Sequence, residues 1–474
     1  MRTTFHLKTL AVAIAALSFA SVTNAAGLDR SGQDVTAFFQ DGTYAEAVYT
    51  YIDADVSGRD SANTNPSQND YERGNATGDI AESYDFFRYG VKTDINDTFS
   101  IGVLYDEPFG AAAEYTQGNF VGQGDIDASI ASITDGAAPS LAAAQFGISQ
   151  LEPGETAGLL TDEQQASLDG LRGAVAVATA EATGAGENTN VEVRSQSLTG
   201  ILGMKFGANK NFQIYGGPVA QRIQAETKLR GLAYGPASGY TSNSNPDMDY
   251  GYIAGVSFSK PEIALKAALT YRSEIDHDVE ISESYPLVAI RAISAGATPE
   301  QAAALSNRVS NYEISTPKSV NFDFQTGINP TTLATAKVRW VPWSDFVITP
   351  PLYNDTSKIS YGPDGLNLVE YDDDQWQVEL GLAKRIAPAL AVSGTVGWDS
   401  GAGDPTTSLG PVEGYYSVGL GAKYNVTENW AVSAGGKYLW FGDAQGQLPS
   451  DKIVADFEDN DGFIAGVKLS YQGK

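Results

Sequence analysis

Tyr416-Ser417-Val418-Gly419-Leu420-Gly421-Ala422-Lys423-Tyr424, Trp430-Ala431-Val432-Ser433-Ala434-Gly435-Gly436-Lys437-Tyr438-Leu439-Trp440 and Phe463-Ile464-Ala465-Gly466-Val467-Lys468-Leu469-Ser470-Tyr471 decide the fold. In each run one face is aromatic or aliphatic, and the other carries serine, lysine and small residues. That period of two is a strand's, because successive side chains point to opposite faces of a sheet. The strand ends carry Tyr424, Trp430, Tyr438, Trp440 and Tyr471. Aromatic rings at both ends of an apolar strand face are the girdles of a transmembrane barrel, and a soluble sandwich has no use for them. The expected class is therefore all-β, a transmembrane β-barrel.

The start of the chain agrees with export. Arg2 and Lys8 precede an apolar run from Leu10 to Ala20, followed by small residues at Thr23 and Ala25. The run is too short to span a bilayer as a helix, so residues 1–25 are predicted to be a secretory signal peptide. No other segment approaches the roughly 20 apolar residues of a membrane helix, which leaves a closed barrel as the way across. The absence of cysteine suits passage through an oxidising periplasm. Together these features place the chain in the outer membrane of a Gram-negative cell as a multi-pass protein. Its partners there are the outer-membrane assembly machinery, lipid and lipopolysaccharide. The net charge is −28, and the acidic residues crowd the expected loops, which argues against a nucleic-acid partner.

Alternating segments fall near 43–57, 80–94, 98–109, 190–208, 211–231, 247–259, 262–281, 312–327, 331–348, 370–386, 388–400, 413–426, 428–442 and 461–472. Their number is even, as single-chain bacterial barrels require. The links between them alternate short and long, which separates periplasmic turns from outer loops. The longest outer loops span about 111–187 and 283–311. Within them, Thr161 with Gln164 and Thr298 with Pro299 and Gln301 read as capped helix starts, running toward Ala180 and Arg308. The expected architecture is a 14-stranded antiparallel barrel over 43–474 with helical extracellular loops.

Strand parity then assigns the lumen. With Phe87, Tyr89 and Val91 facing lipid, Arg88 and Lys92 face inward; likewise Lys266, Arg272 and Glu274, and Lys337 and Arg339. Lys205, Lys423, Lys437 and Lys468 join them. These cations can pair with lumen carboxylates such as Glu46, Asp323 and Glu379, or they can guide an anion in a low-dielectric passage. The third segment carries a second mark, Pro108-Phe109-Gly110. Proline removes a ladder donor and favours edges and bulges, so this tripeptide predicts a break in the wall or the end of the strand.

Ala267-Ala268-Leu269-Thr270-Tyr271-Arg272-Ser273-Glu274 resembles the strand motif of the FadL family of outer-membrane long-chain fatty acid transporters. The mature start Ala26 to Gly32, the stretch Ile52 to Gly58, Phe109-Gly110 through Tyr115, and Trp340 to Phe346 also resemble that family. The resemblance implies passive transport of long-chain fatty acids or related hydrophobic compounds. Cargo would bind in the outer loops and then in the lumen, and would leave sideways into the membrane at Pro108, Phe109 and Gly110. It implies no cofactor and an N-terminal hatch in the lumen. Here the hatch-like segment is short, 26–42, lacks the family's asparagine-proline-alanine stretch, and offers Phe38 and Phe39 as plugging groups. Substrate-binding candidates are Arg272, Lys337, Arg339, Lys266 and Arg88; an acyl chain would lie in a groove formed by loops such as Leu141 to Leu171.

A general porin for small anionic or polar solutes is the alternative, with the lumen cations setting ion preference. An enzyme is not expected. After signal removal His277 is the single histidine, flanked by Asp276 and Asp278, and no nucleophile elbow accompanies it. No cysteine–histidine cluster or calcium-loop spacing appears, so no metal site and no catalytic residue is predicted.

Overall fold

The computed structural model describes residues 28–66 and 68–473; the signal peptide predicted over residues 1–25 lies outside them. The barrel strands are β1 (Tyr44–Asp55), β2 (Tyr84–Asp94), β3 (Phe99–Asp106 and Gly110–Glu114), β4 (Asn190–Phe206) and β5 (Phe212–Lys228). They continue as β6 (Thr241–Ser244 and Asp247–Lys260), β7 (Leu265–Arg272 and Ile275–Ser284), β8 (Asn307–Thr316 and Ser319–Asn329) and β9 (Thr332–Val341). The last are β10 (Gln375–Ala387), β11 (Leu390–Asp399), β12 (Glu413–Asn425), β13 (Trp430–Gly442) and β14 (Asp461–Gln472). Neighbours pair antiparallel, and β1 closes the barrel by pairing with β14 on one side and β2 on the other. Closure leaves no strand of the barrel without a neighbour on either side, as hydrocarbon demands.

Parity in the structure follows the alternation. Phe87, Tyr89, Val91, Leu269, Leu420, Tyr438 and Trp440 are exposed on the outer wall, while Arg88, Lys92, Arg272, Arg339, Lys423, Lys437 and Lys468 are buried inside. An outward apolar band bordered by aromatics is the surface of a chain that crosses the outer membrane many times. Among the described residues no helix is long and apolar enough to cross a membrane. Glu274 departs from its expected inward place. It falls between the two halves of β7 and is exposed, 3.9 Å from the Lys318 ammonium.

The outer loops hold helices α1 (Ile126–Ile133), α2 (Leu141–Thr156), α3 (Asp162–Thr183), α4 (Pro286–Ser294), α5 (Pro299–Ser306) and α6 (Pro351–Tyr361). Thr161 and Thr298 form the expected capping boxes with Gln164 and Gln301. α5 stops at Ser306, short of Arg308, because Asn307 is extended and begins β8. α1 to α3 bury Ile130, Ile133, Ala144, Ala174 and Val177 against one another. This packing makes the segment from Leu141 to Leu171 part of a helical cluster in the outer loops.

A five-stranded sheet of short segments from three outer loops (Ser57–Ser61, Arg73–Asp79, Thr406–Thr407, Ala444–Gln447 and Ile453–Phe457) covers the barrel beside the helices. Its polar, glycine-rich pieces carry too weak an alternation to stand out in the sequence. α6 enters the mouth of the barrel because the buried Glu283 carboxylate of β7 accepts the first helical N–H groups, from Leu352 at 2.9 Å and Tyr353 at 3.0 Å. A carboxylate at a helix N-terminus satisfies donors that have no partner within the helix.

Candidate functional site

Residues 28–42 run inside the barrel and fill its waist. Carboxylates, carbonyls and aromatic rings of this plug each meet a matching group on the wall. The Asp29 carboxylate takes the Arg339 Nε–H at 2.5 Å, and Arg339 also donates to Asn321 at 2.8 Å. Asp34 lies 2.9 Å from the Lys337 ammonium and 3.3 Å from the Arg88 guanidinium. Lys266 donates to the Phe39 carbonyl at 2.6 Å, and Lys92 to the Gln40 carbonyl at 2.6 Å. Ser31 Oγ donates to Asp106 at 2.8 Å. Opposite charges paired inside a wall hold a geometry firmly, because removal of one partner strands the other in low dielectric.

Below these polar contacts, Phe38 is buried against Leu104, Ile201, Tyr215, Val219 and Ile253. The wall makes room for it with glycines. A Cβ at Gly102 or Gly203 would come within 2.8 Å of the Phe38 ring, and one at Gly90 within 2.9 Å of the Ala37 methyl. Phe39 packs edge-on to Tyr215, with ring centres 5.2 Å apart. Beneath the plug a vestibule of about 800 Å³ opens toward the short turns, bordered by Lys205, Lys266, Asp94 and Asp323.

The five lumen cations singled out in the sequence thus share a neighbourhood. Arg88, Lys266, Lys337 and Arg339 hold the plug directly. Arg272 donates to Ser197 at 3.3 Å and faces Asp106, which accepts the plug's Ser31. Sequence parity located these side chains, but not their partners, since Asp29 and Asp34 belong to a segment with no strand pattern to fix its place.

The upper wall is interrupted where the tripeptide stands. β3 stops at Asp106 and restarts at Gly110. β2 pairs with β3 only from Tyr89 to Asp94, and an isolated bridge joins Ala81 to Ala113 above. Between these levels Tyr84 to Arg88 pair with β1 alone, so the wall has a window. The plug lines it from inside. Arg30 N–H donates to the Pro108 carbonyl at 2.7 Å, and Gly110 N–H to the Leu28 carbonyl at 2.7 Å. The buried Arg30 guanidinium sits 3.8 Å over the Tyr84 ring, a cation–π contact, and occupies the place a Cβ on Gly110 would need.

Above the plug the lumen is apolar. Phe109 turns its ring inward, edge-on to Trp343 at 5.9 Å, and Trp343 packs on Phe346 and Tyr371. Phe346 and Tyr371 also line a small cavity of about 50 Å³ with Leu28, Val193, Ile281 and Leu368. Farther out, a groove of about 60 Å³ lies among Leu232, Tyr285, Tyr353, Tyr361 and Leu448, with Arg291 and Lys452 at its rim. Neither was legible beforehand, because the residues come from loops far apart in sequence.

No protein-family model and no curated protein matches the chain. Solved structures do. A Pseudomonas aeruginosa FadL homologue is similar over 92% of this chain and 91% of its own, at 14% identity with a TM-score of 0.60. The Pseudomonas putida toluene transporter TodX is similar over 96% and 93%, at 11% identity and a TM-score of 0.51. The Ralstonia pickettii toluene transporter TbuX is similar over 98% of each chain, at 10% identity and a TM-score of 0.50. With strand number, closure and interrupted third strand in common with the expectation from sequence, this chain has the FadL-type outer-membrane barrel fold.

Proposed function

We propose that the protein carries hydrophobic molecules passively across the outer membrane, and that long-chain fatty acids or similar carboxylated lipids are its cargo. The observation that carries this reading is the order of surfaces along the lumen. An apolar groove and a small cavity lie on the outer side of the Phe109–Trp343 contact, beside a wall window that the plug closes with backbone hydrogen bonds. Cargo moves from groove to cavity and leaves through the window into the membrane. Burial of each methylene contributes about 0.8 kcal/mol, so widening of the groove and cavity around an acyl chain is offset without any specific polar contact.

Cargo charge enters through the plug. Asp29 and Asp34 occupy Arg339, Lys337 and Arg88 as a fatty acid's carboxylate would. A carboxylated cargo competes for these cations and loosens the plug as it binds. A second reading, neutral aromatic hydrocarbons, is favoured by the same contacts, because the cations already have partners. Transport of similar compounds by the structurally similar TodX and TbuX is consistent with it. A water-filled porin fits poorly with a waist closed by Phe38 and six charged or carbonyl contacts.

The test is mass spectrometry of lipophilic molecules retained after purification in a mild non-lipid detergent, together with conductance in planar bilayers. Fatty acids retained with negligible current support the reading. Retained neutral aromatics move the cargo to hydrocarbons, and a stable open current makes the barrel a porin.

A further inference from the structure

His277 is not the loop residue its charged neighbours suggest. It lies on the inward face of β7, fully buried, while Asp276 and Asp278 point outward. The wall has a second interruption here. Asp247 to Tyr252 of β6 pair with β5 but have no ladder partner in β7, since β6–β7 pairing starts at Ile253. The upper half of β7 pairs instead with Thr241–Ser244 and with β8. Single hydrogen bonds frame the unpaired stretch, Ser273 N–H to the Tyr252 carbonyl at 3.0 Å and Asn245 N–H to the Glu280 carbonyl at 2.9 Å.

Across this stretch the donor atoms of Asp247, Asp249 and His277 lie within 4.8 Å of one another. His277 Nε2 is 3.1 Å from Gln221 Oε1, which also accepts Thr316 Oγ1–H at 2.7 Å. With Nε2–H donating to this acceptor, the neutral imidazole presents its Nδ1 lone pair on the other side. That lone pair points at the Asp247 carboxylate, 3.3 Å away. Two acceptors face each other with a second carboxylate, Asp249, beside them and free of hydrogen bonds or ion pairs among the described residues. A cation between them resolves the conflict. The Asp247 side chain is 28% exposed, which gives an ion a way in.

We propose that Asp247, Asp249 and His277 form a binding site for one transition-metal dication of the zinc type. An imidazole nitrogen with two carboxylate oxygens is a donor set for such ions, whereas calcium and magnesium take oxygen ligands alone. Three protein ligands leave a fourth position for water. The ion joins β6 to β7 where the backbone does not, and Gln221 fixes the imidazole from behind, the orienting role common to partners of metal-bound histidine.

The test uses the full-length barrel in detergent, stripped with a chelator, incubated with zinc chloride in excess magnesium, and desalted. Zinc is counted by plasma mass spectrometry, and thermal unfolding is followed with and without it. About one equivalent retained, with a raised unfolding temperature, is expected for the wild type and for an Asp276→Asn/Asp278→Asn control. Asp249→Asn and His277→Ala are expected to lose both effects while keeping the heat-modifiable gel mobility of a folded barrel. If His277→Ala does not fold, the half-exposed Asp249→Asn decides. Absence of retained zinc in the wild type, or equal retention by Asp249→Asn, overturns the site and leaves an ordinary histidine–carboxylate pair.

Discussion

Arg339 and Asp29, 310 residues apart in the chain, meet through a hydrogen bond of 2.5 Å in the barrel interior, and each is at least 95% buried. Loss of one member strands the other, at a cost of about 3–5 kcal/mol. Asp29→Asn should therefore release the upper plug without unfolding the wall. The expected readouts are faster proteolysis near residue 30 and a higher bilayer conductance. Arg339→Gln added to Asp29→Asn should restore part of the protection; unchanged conductance in the single variant would show that the pair does not hold the plug.

Phe38 is the plug's apolar anchor. Truncating a buried phenylalanine typically costs about 3–5 kcal/mol, here charged mainly against docking of the plug. Phe38→Ala should raise open-channel events in single-channel recordings while barrel melting stays near wild type. Gly102→Val, which pushes on the ring from the wall, should do the same.

The window residues give a directional test. In Gly110→Ala the new methyl collides with the Arg30 guanidinium, 2.2 Å from its central carbon. Displaced arginine leaves the Tyr84 ring and opens the window. Labelled fatty acid should then enter cells faster, whereas Gly110→Ala in an Arg30→Ala background should add little. Slower uptake in both would place the exit elsewhere.

The outer groove should respond to pH through Lys452, which lies outside the membrane strands. Burial holds its ammonium down at about 8, against an ordinary 10.5. Below that value it is charged and attracts a carboxylate; above it the amine is neutral. Fatty acid affinity for the intact protein should fall as pH rises through about 8, and toluene affinity should not. Lys452→Met should abolish the difference. The folded state should also gain stability between about 8 and 10.5, where only the unfolded chain still holds that proton.

How much of this was written in the sequence depends on how far each signal reaches. Strand alternation is local, so Phe87 against Arg88 and Val338 against Arg339 were legible, whereas Pro108 left a break in the wall and the end of the strand equally open. Capping boxes at Thr161 and Thr298 are local too. The plug contacts were not legible, because no periodicity tells Asp29 which of several inward cations it will meet. His277 shows the same limit: its sequence neighbours Asp276 and Asp278 alternate away from it, and the carboxylates that face it stand on β6. The position of Glu274 failed where parity itself fails, at the interruption between the halves of β7.

The window at Pro108 also has a thermodynamic meaning. A gap in a membrane wall normally leaves backbone N–H and C=O groups without partners in hydrocarbon. Here proline has no N–H to lose, and the Phe109 N–H and carbonyl are both satisfied by the Ser195 hydroxyl, at 2.7 and 2.6 Å. Of the window's own backbone, withdrawal of residues 28–31 therefore frees only the Pro108 carbonyl, which accepts the Arg30 and Ser31 N–H groups, and the Gly110 N–H. At about 1 kcal/mol for each hydrogen bond the door itself is light, and its bolt is the Asp29–Arg339 pair behind it: a passing molecule that takes the arginine from the aspartate is enough to hold it ajar, without fuel.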